Sequence, residues 1–242
     1  MEARFDDGSP LNDKEKRAHA TIMIQAGADT TGTAMGCTLR HLLTNPSTMR
    51  KARAEIDAAD EGGKLSKPIS YEESRSYLPY FGACIKESLR LDPPAPNLFA
   101  RVVPKGGKCI GKEHIPEGME ITTNAYVMQR DPALYGPDPE AYRPERWLES
   151  PHANEMEASM FVFGMGPRVC IGKDIAMLEL SKLLPEVGLP GYPQRPTHDR
   201  PRLIVWQIIR NFDFDLLDAG RCVVAGGVTF NQNLRVLLTK RS

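Results

Sequence analysis

The chain has 242 residues, 41% of them hydrophobic, which suffices for one large domain or two small ones with a genuine core. Its 31 lysines and arginines balance 31 aspartates and glutamates, so no net field draws it toward nucleic acid or an acidic membrane surface. The five cysteines, Cys37, Cys84, Cys109, Cys170 and Cys222, are odd in number and contain no C-x-x-C pair, which removes the usual zinc and redox spacings and favours a reducing compartment.

The first ten residues are polar and acidic, with no apolar run behind a basic flank, so neither a signal peptide nor a membrane anchor is expected and the chain reads as soluble. Asn12 followed three residues later by Glu15 predicts a helix start, the Asn side chain accepting from the first turn while the Glu reaches back. The helix is expected to run through Ala18, Ile22, Ala26, Thr33, Leu39 and Leu43 to Asn45-Pro46, where the proline halts it and opens a second helix over 46–59. The middle of the first helix, Ala26-Gly27-Ala28-Asp29-Thr30-Thr31-Gly32, is poor helix sequence, since Gly and Thr each cost up to about 1 kcal/mol against Ala. Something other than helix stability must account for it. Gly62-Gly63 and Pro68 mark a loop, and a third helix over 79–91 stops at Asp92-Pro93-Pro94.

Short strands over 101–103, 108–110 and 120–124, separated by Gly and Pro turns, predict a small sheet. From 131 to 167 the chain is rich in Pro and Gly with little periodicity, which predicts an ordered meander with short helical turns, followed by a helix from about Lys173. The tail, 223–238, is expected to form a hairpin turning within 231–233. The fold class is therefore mainly α with a minor β-sheet. No G-x-x-x-x-G-K, G-x-S-x-G or H-E-x-x-H occurs, which removes the commonest phosphate, esterase and zinc-protease chemistries.

The segment richest in chemical information is Phe163-Gly164-Met165-Gly166-Pro167-Arg168-Val169-Cys170-Ile171-Gly172. Its glycines permit a tight turn and close backbone approach to a flat ligand, and the following helix aims its N–H groups at the sulfur, a setting that favours thiolate. Taken alone, a cysteine is most often an inert buried thiol. Here the pattern F-x-x-G-x-R-x-C-x-G resembles the haem-binding signature of the cytochrome P-450 family at all its fixed positions, with Ala176 and Glu179 also as that family often has them.

Further segments resemble the same family in the same order. Glu87-Ser88-Leu89-Arg90 places Glu and Arg at neighbouring positions on one helix face, in isolation a surface ion pair of a few tenths of a kcal/mol. It is also the family's E-x-x-R motif. Pro144-Glu145-Arg146-Trp147 resembles the segment whose Arg completes a buried Glu-Arg-Arg network. The resemblance implies that Glu87, Arg90 and Arg146 fix the meander and are structural, not catalytic. Ala26 to Thr31 resembles the oxygen-activation stretch of the family's long distal helix; otherwise its small residues would read as helix packing.

The resemblance implies that Cys170 is the axial ligand of haem b (iron protoporphyrin IX), its electron donation helping to cleave the O–O bond. It further implies that Arg168 and Arg101 pair with the propionates, that Phe163 shields the sulfur, and that Gly166 and Gly172 let the loop lie flat. Ala26 and Gly27 would leave room beside the iron, while Thr30 with Asp29 would distort the helix and deliver protons to dioxygen. Pro96, Asn97, Leu98 and Phe99, with Gly227, Val228 and Thr229, fall where family members line the substrate pocket. Cys37, Cys84, Cys109 and Cys222 read as packing or surface.

The implied activity is monooxygenation of a small organic substrate, with electrons from NADPH through a separate cytochrome P-450 reductase. The overall style of Tyr142-Arg143-Pro144-Glu145-Arg146-Trp147 and of the tail resembles fungal microsomal members serving secondary metabolism, which sit on the endoplasmic reticulum membrane. The resemblance covers the haem-side C-terminal half (distal long helix, E-x-x-R helix, meander, Cys loop and proximal helix) of a single domain whose N-terminal half, with any anchor, is not in this chain. A truncated fragment that binds haem poorly or not at all is therefore the alternative. One stretch departs from the pattern: 187–207 carries four prolines that no helix survives, and excising it restores a helical stripe through Ile208 and Phe212. A retained intron, opened by a GT-bearing Val codon and closed by a Gln codon ending in AG, is expected there, with a surface insertion as the rival.

Overall fold

Asn12 opens the first helix as its side chain dictates: its Oδ1 accepts from the Lys14 and Glu15 N–H groups at 2.9 and 3.0 Å, and Glu15 Oε2 accepts from the Asn12 N–H at 2.8 Å. The structure, a computed structural model, describes residues 7–96, 99–184, 212–225 and 227–240. Helix α1 (Asp13–Thr44) ends at Asn45, and Pro46 opens α2 (Pro46–Glu61). A short helix not anticipated from sequence, α3 (Tyr71–Tyr77), follows, begun by a Ser70/Glu73 capping box. Helix α4 (Pro79–Leu91) stops at Asp92.

The main core forms where the second half of α1 packs on α2, α4 and the last helix. Ala34, Met35 and Leu42 meet Ile56, Phe81, Ile85, Leu89 and Leu180. Fully burying each large apolar side chain contributes about 1.5–3 kcal/mol against exposure, so this cluster anchors the chain. The first half of α1 lacks such cover. Residues 16–29 are exposed, and Ile22, Met23 and Ile24 are 64–72% accessible. No helix among the described residues is long and apolar enough to cross a membrane.

Instead of one small sheet, the middle of the chain forms two separate ladders, one nested in the other. Strand β1 (Arg101–Val102) pairs with β4 (Glu120–Ile121), and β2 (Lys108–Ile110) pairs with β3 (Glu113–Ile115). The last strand stops short of Asn124 because that side chain caps α5 (Ala125–Met128), accepting from the Tyr126 and Val127 N–H groups. The meander carries α6 (Pro132–Tyr135), α7 (Arg146–Glu149) and α8 (Ala153–Ser159), then two 3₁₀ turns, Phe161–Phe163 and Gly166–Arg168, before α9 (Lys173–Leu183).

The tail differs from expectation. Strand β5 (Phe212–Asp218) pairs with β8 (Arg235–Lys240), enclosing the hairpin of β6 (Arg221–Ala225) and β7 (Val228–Gln232). The hairpin thus turns between Ala225 and Val228, not within 231–233. Asn233, with φ +63°, instead redirects the chain from one ladder to the other. Phe212 lies in a strand rather than on a resumed helical stripe, and Arg53 donates to its carbonyl at 3.0 Å. The segment 187–207 lies outside the described residues, as does Ile208.

Candidate functional site

The Cys170 loop is built by two glycines in a backbone region that other residues rarely adopt. Gly164 and Gly166 both have φ +69°, and the turn is closed by the Cys170 N–H donating to the Phe163 carbonyl at 2.8 Å. Phe163 is half-buried and packs on the main core, so the loop has one fixed end. The other end is α9, whose N-cap is Gly172; a Cβ there would lie 3.9 Å from Cys170 Sγ. Between these ends the loop is open. Cys170 is a free, exposed thiol, Arg168 is exposed, Met165 and Val169 are nearly half accessible, and Ile171 is fully so. Neither the Cys170 sulfur nor the Arg168 guanidinium has a partner among the described residues.

Ala26, Gly27 and Asp29 are exposed, and Thr30 stands at the boundary with buried Thr31. The Thr30 hydroxyl donates to the Ala26 carbonyl at 2.7 Å. That back-bond satisfies the hydroxyl within the helix, and α1 remains helical throughout, so the expected distortion does not take the form of a break. Arg101 lies exposed on β1, its guanidinium donating to the Ala100 carbonyl at 3.0 Å. Pro96 is half-buried and Phe99 exposed; Asn97 and Leu98 lie outside the described residues. Thr229 is buried and clamped: its hydroxyl donates to the Pro93 carbonyl at 2.8 Å, and its own carbonyl accepts from Thr33 at 2.7 Å.

Glu87, Arg90 and Arg146 meet in the interior with at most 2% exposure. Arg90 grips Glu87 with two parallel bonds of 2.9 Å and Arg146 Nε adds a third at 2.9 Å. The spare guanidinium N–H groups bind meander carbonyls: Arg90 reaches Gln129 and Pro139, and Arg146 reaches Tyr135, Asp138 and Ala141. Burial pushes the Glu87 carboxyl up, but Arg90, the Arg143 N–H and Arg146 together hold it below the ordinary glutamate range.

Sequence reasoning missed three members of this network. Trp147 Nε1 donates to Glu87 Oε2 at 2.8 Å, the Arg143 backbone N–H donates to Glu87 Oε1 at 3.0 Å, and Asp138 accepts from the Arg143 side chain at 2.9 Å. The signal for Trp147 was its place directly after Arg146; nothing marked Asp138. One reading needs correction. Cys37 and Cys222, taken as unrelated packing or surface residues, have their sulfurs 3.6 Å apart, because the tail hairpin lies against α1.

The profile of the Cytochrome P-450 family matches residues 1–187. A cytochrome P-450 monooxygenase of Emericella nidulans, cicH, is 40% identical over 193 residues, covering 77% of this chain and 38% of that protein. Pisatin demethylase of Fusarium vanettenii is 39% identical over 195 residues, 81% of this chain and 33% of that protein. The cytochrome P-450 monooxygenase aba1 of Botryotinia fuckeliana is 35% identical over 235 residues, 95% of this chain and 42% of that protein. The chain belongs to the cytochrome P-450 family, and it spans less than half the length of these curated relatives. Haem is the family's cofactor, and the residues present fit it. A soft sulfur donor stands free on a glycine turn, bordered by uncovered apolar side chains and an unpaired guanidinium.

Proposed function

We propose that this chain is the haem-side C-terminal half of a monooxygenase that places one oxygen atom of dioxygen in a small organic substrate. The other atom leaves as water, with two electrons drawn from NADPH through a cytochrome P-450 reductase. The observation that carries this reading is the exposed, unpartnered Cys170 on its glycine turn ahead of α9 in a chain of this family. Haem, when bound, supplies the iron at which dioxygen is reduced. Cys170 Sγ would bind that iron, Arg168 and Arg101 would neutralise the propionates, and Phe163, packed against the core, would shield the bound sulfur. Gly166 and Gly172 would let the loop lie flat. α1 would be the distal helix, where Ala26 and Gly27 leave space, and α9 the proximal one. The full-length enzyme belongs on the endoplasmic reticulum membrane.

Proton supply falls to Thr30 and Asp29. The Thr30 hydroxyl, already donating to the Ala26 carbonyl, keeps its lone pairs for water, and the Asp29 side chain next in sequence is exposed to solvent. Thr30→Ala in the reductase-coupled full-length enzyme is expected to slow turnover about 100-fold, the size of one general-acid contribution, with an unchanged haem spectrum. Equal turnover would remove Thr30 from the reaction.

The function is tested by adding haem to the full chain, reducing it and treating it with carbon monoxide. A thiolate-type Soret band is the expected result. A haem spectrum lacking it, or no spectrum, overturns the assignment and leaves a non-catalytic fragment. The residues 187–207 we assign to a retained intron, a reading supported by the Pro-rich composition and by a family match that ends at residue 187. Transcripts are expected to lack their codons; transcripts that retain them make the segment a genuine insertion.

A further inference from the structure

Away from the Cys170 loop, three chain segments converge on one cluster of metal-binding side chains. Cys37 lies in the buried half of α1, Asp92 caps the end of α4, and Cys222 lies on β6. Their ligand atoms all lie within 4.8 Å of one another. We propose that Cys37, Cys222 and Asp92 bind one thiophilic divalent cation, zinc foremost, which ties α1 and α4 to the C-terminal hairpin.

The two spacings that involve Cys222 are those of a shared tetrahedral ion, and Cys37 and Asp92 stand within 4.8 Å. Two sulfurs each about 2.3 Å from one zinc at the tetrahedral angle lie about 3.8 Å apart, and a sulfur and a carboxylate oxygen about 3.5 Å apart. The structure has Cys37 Sγ and Cys222 Sγ at 3.6 Å, and Cys222 Sγ and Asp92 Oδ2 at 3.4 Å. Asn231 Oδ1, 3.4 Å from the same sulfur, offers a fourth donor. It reaches that place because position 36 is glycine, where a Cβ would lie 2.6 Å from Asn231 Nδ2.

The surroundings suit such an ion. Asp92 Oδ2 accepts from His41 Nε2 at 2.7 Å, and the His41 ring is fixed by stacking on Tyr142 at 4.5 Å. Burial pushes the Asp92 carboxyl up, but His41, Cys222 and Arg40 together more than offset this and hold it below the ordinary aspartate range. Without a cation, the neighbouring Cys222 and burial push the Cys37 thiol up. Binding exchanges the two thiol protons for the dication, both protons leaving to solvent. The resulting single negative charge faces Arg40, which sits close enough to favour the ionised Asp92.

The test is metal content and cobalt titration of the full chain, alongside Cys222→Ser, Asp92→Asn and Cys170→Ser. Expected are one equivalent of bound zinc and, with cobalt, thiolate-to-metal charge-transfer absorption in wild type. Both persist in Cys170→Ser, which separates this site from the haem thiolate. Cys222→Ser should lose the charge-transfer band or halve it with at least a tenfold weaker affinity, and Asp92→Asn should weaken binding. Should Cys222→Ser fail to fold by circular dichroism, the wild-type titration decides alone. Wild type that binds neither metal, a folded Cys222→Ser that binds as tightly as wild type, or a metal-free chain lighter by two hydrogens, its sulfurs joined as a disulfide, each overturns the proposal.

Discussion

Cys170→Ser is expected to abolish the thiolate-type Soret band and all oxygenation, while unfolding stability stays within about 0.5 kcal/mol of the parent. The two halves of that result have separate causes. The sulfur is exposed and bonds to nothing among the described residues, so exchanging it for oxygen removes no packing and no hydrogen bond from the fold. The backbone bond that closes the loop, from the Cys170 N–H to the Phe163 carbonyl, survives the change. What would disappear, on the function proposed above, is the soft, electron-rich donor to iron, which a serine hydroxyl does not replace. Absorption spectra and denaturant titrations of the same preparation check both halves. A thiolate-type band in the serine variant would place the ligand elsewhere.

Glu87→Gln has the opposite profile, damaging the fold first. It leaves the guanidinium groups of Arg90 and Arg146 buried without their shared counter-charge, and breaking a buried pair in this way costs about 3–5 kcal/mol. A domain whose total stability is about 5–15 kcal/mol loses a large share of it. The denaturation midpoint should fall sharply, and haem uptake should fall with it because the meander carbonyls lose their fixed donors. The acid limb gives a second check. The carboxyl is held below the ordinary glutamate value of about 4.3, so its contribution is complete above that pH and is lost as pH falls through the lower folded value. Parent stability should therefore decline below about pH 4, and the Glu87→Gln variant should lack that part of the decline. A variant as stable as the parent would show that the network contributes nothing net.

Much of the helical frame was legible because its boundaries are set locally. The Asn12/Glu15 capping box, Pro46 and the Asp92-Pro93 stop each act within a few residues, and the helices begin and end there. The same signature at Ser70 and Glu73 went unread because a helix of seven residues shows too little periodicity to attract notice. In the tail the clue was present: Phe212-Asp213-Phe214-Asp215 alternates with period two, yet the helical stripe suggested by deleting 187–207 obscured it. The turn was misplaced because an asparagine suited to positive φ marks a change of direction without saying which strands pair across it. Of the candidate site, the motif residues could be picked out, but the meeting of Cys37 and Cys222, 185 positions apart, depends on tertiary docking of the hairpin and leaves no local trace.

Helix α1 is held unevenly. From Thr31 onward it packs on the core, whereas over 16–29 its side chains are exposed and carry local contacts such as the Thr21 hydroxyl on the Arg17 carbonyl and Lys16 beside Asp13. A helical stretch of that length without tertiary cover is marginal in water, so in this chain amide exchange should be slower from residue 31 onward than over 16–29. Thr30 sits at the border between the two, and its hydroxyl ties back one turn to the Ala26 carbonyl on the exposed side.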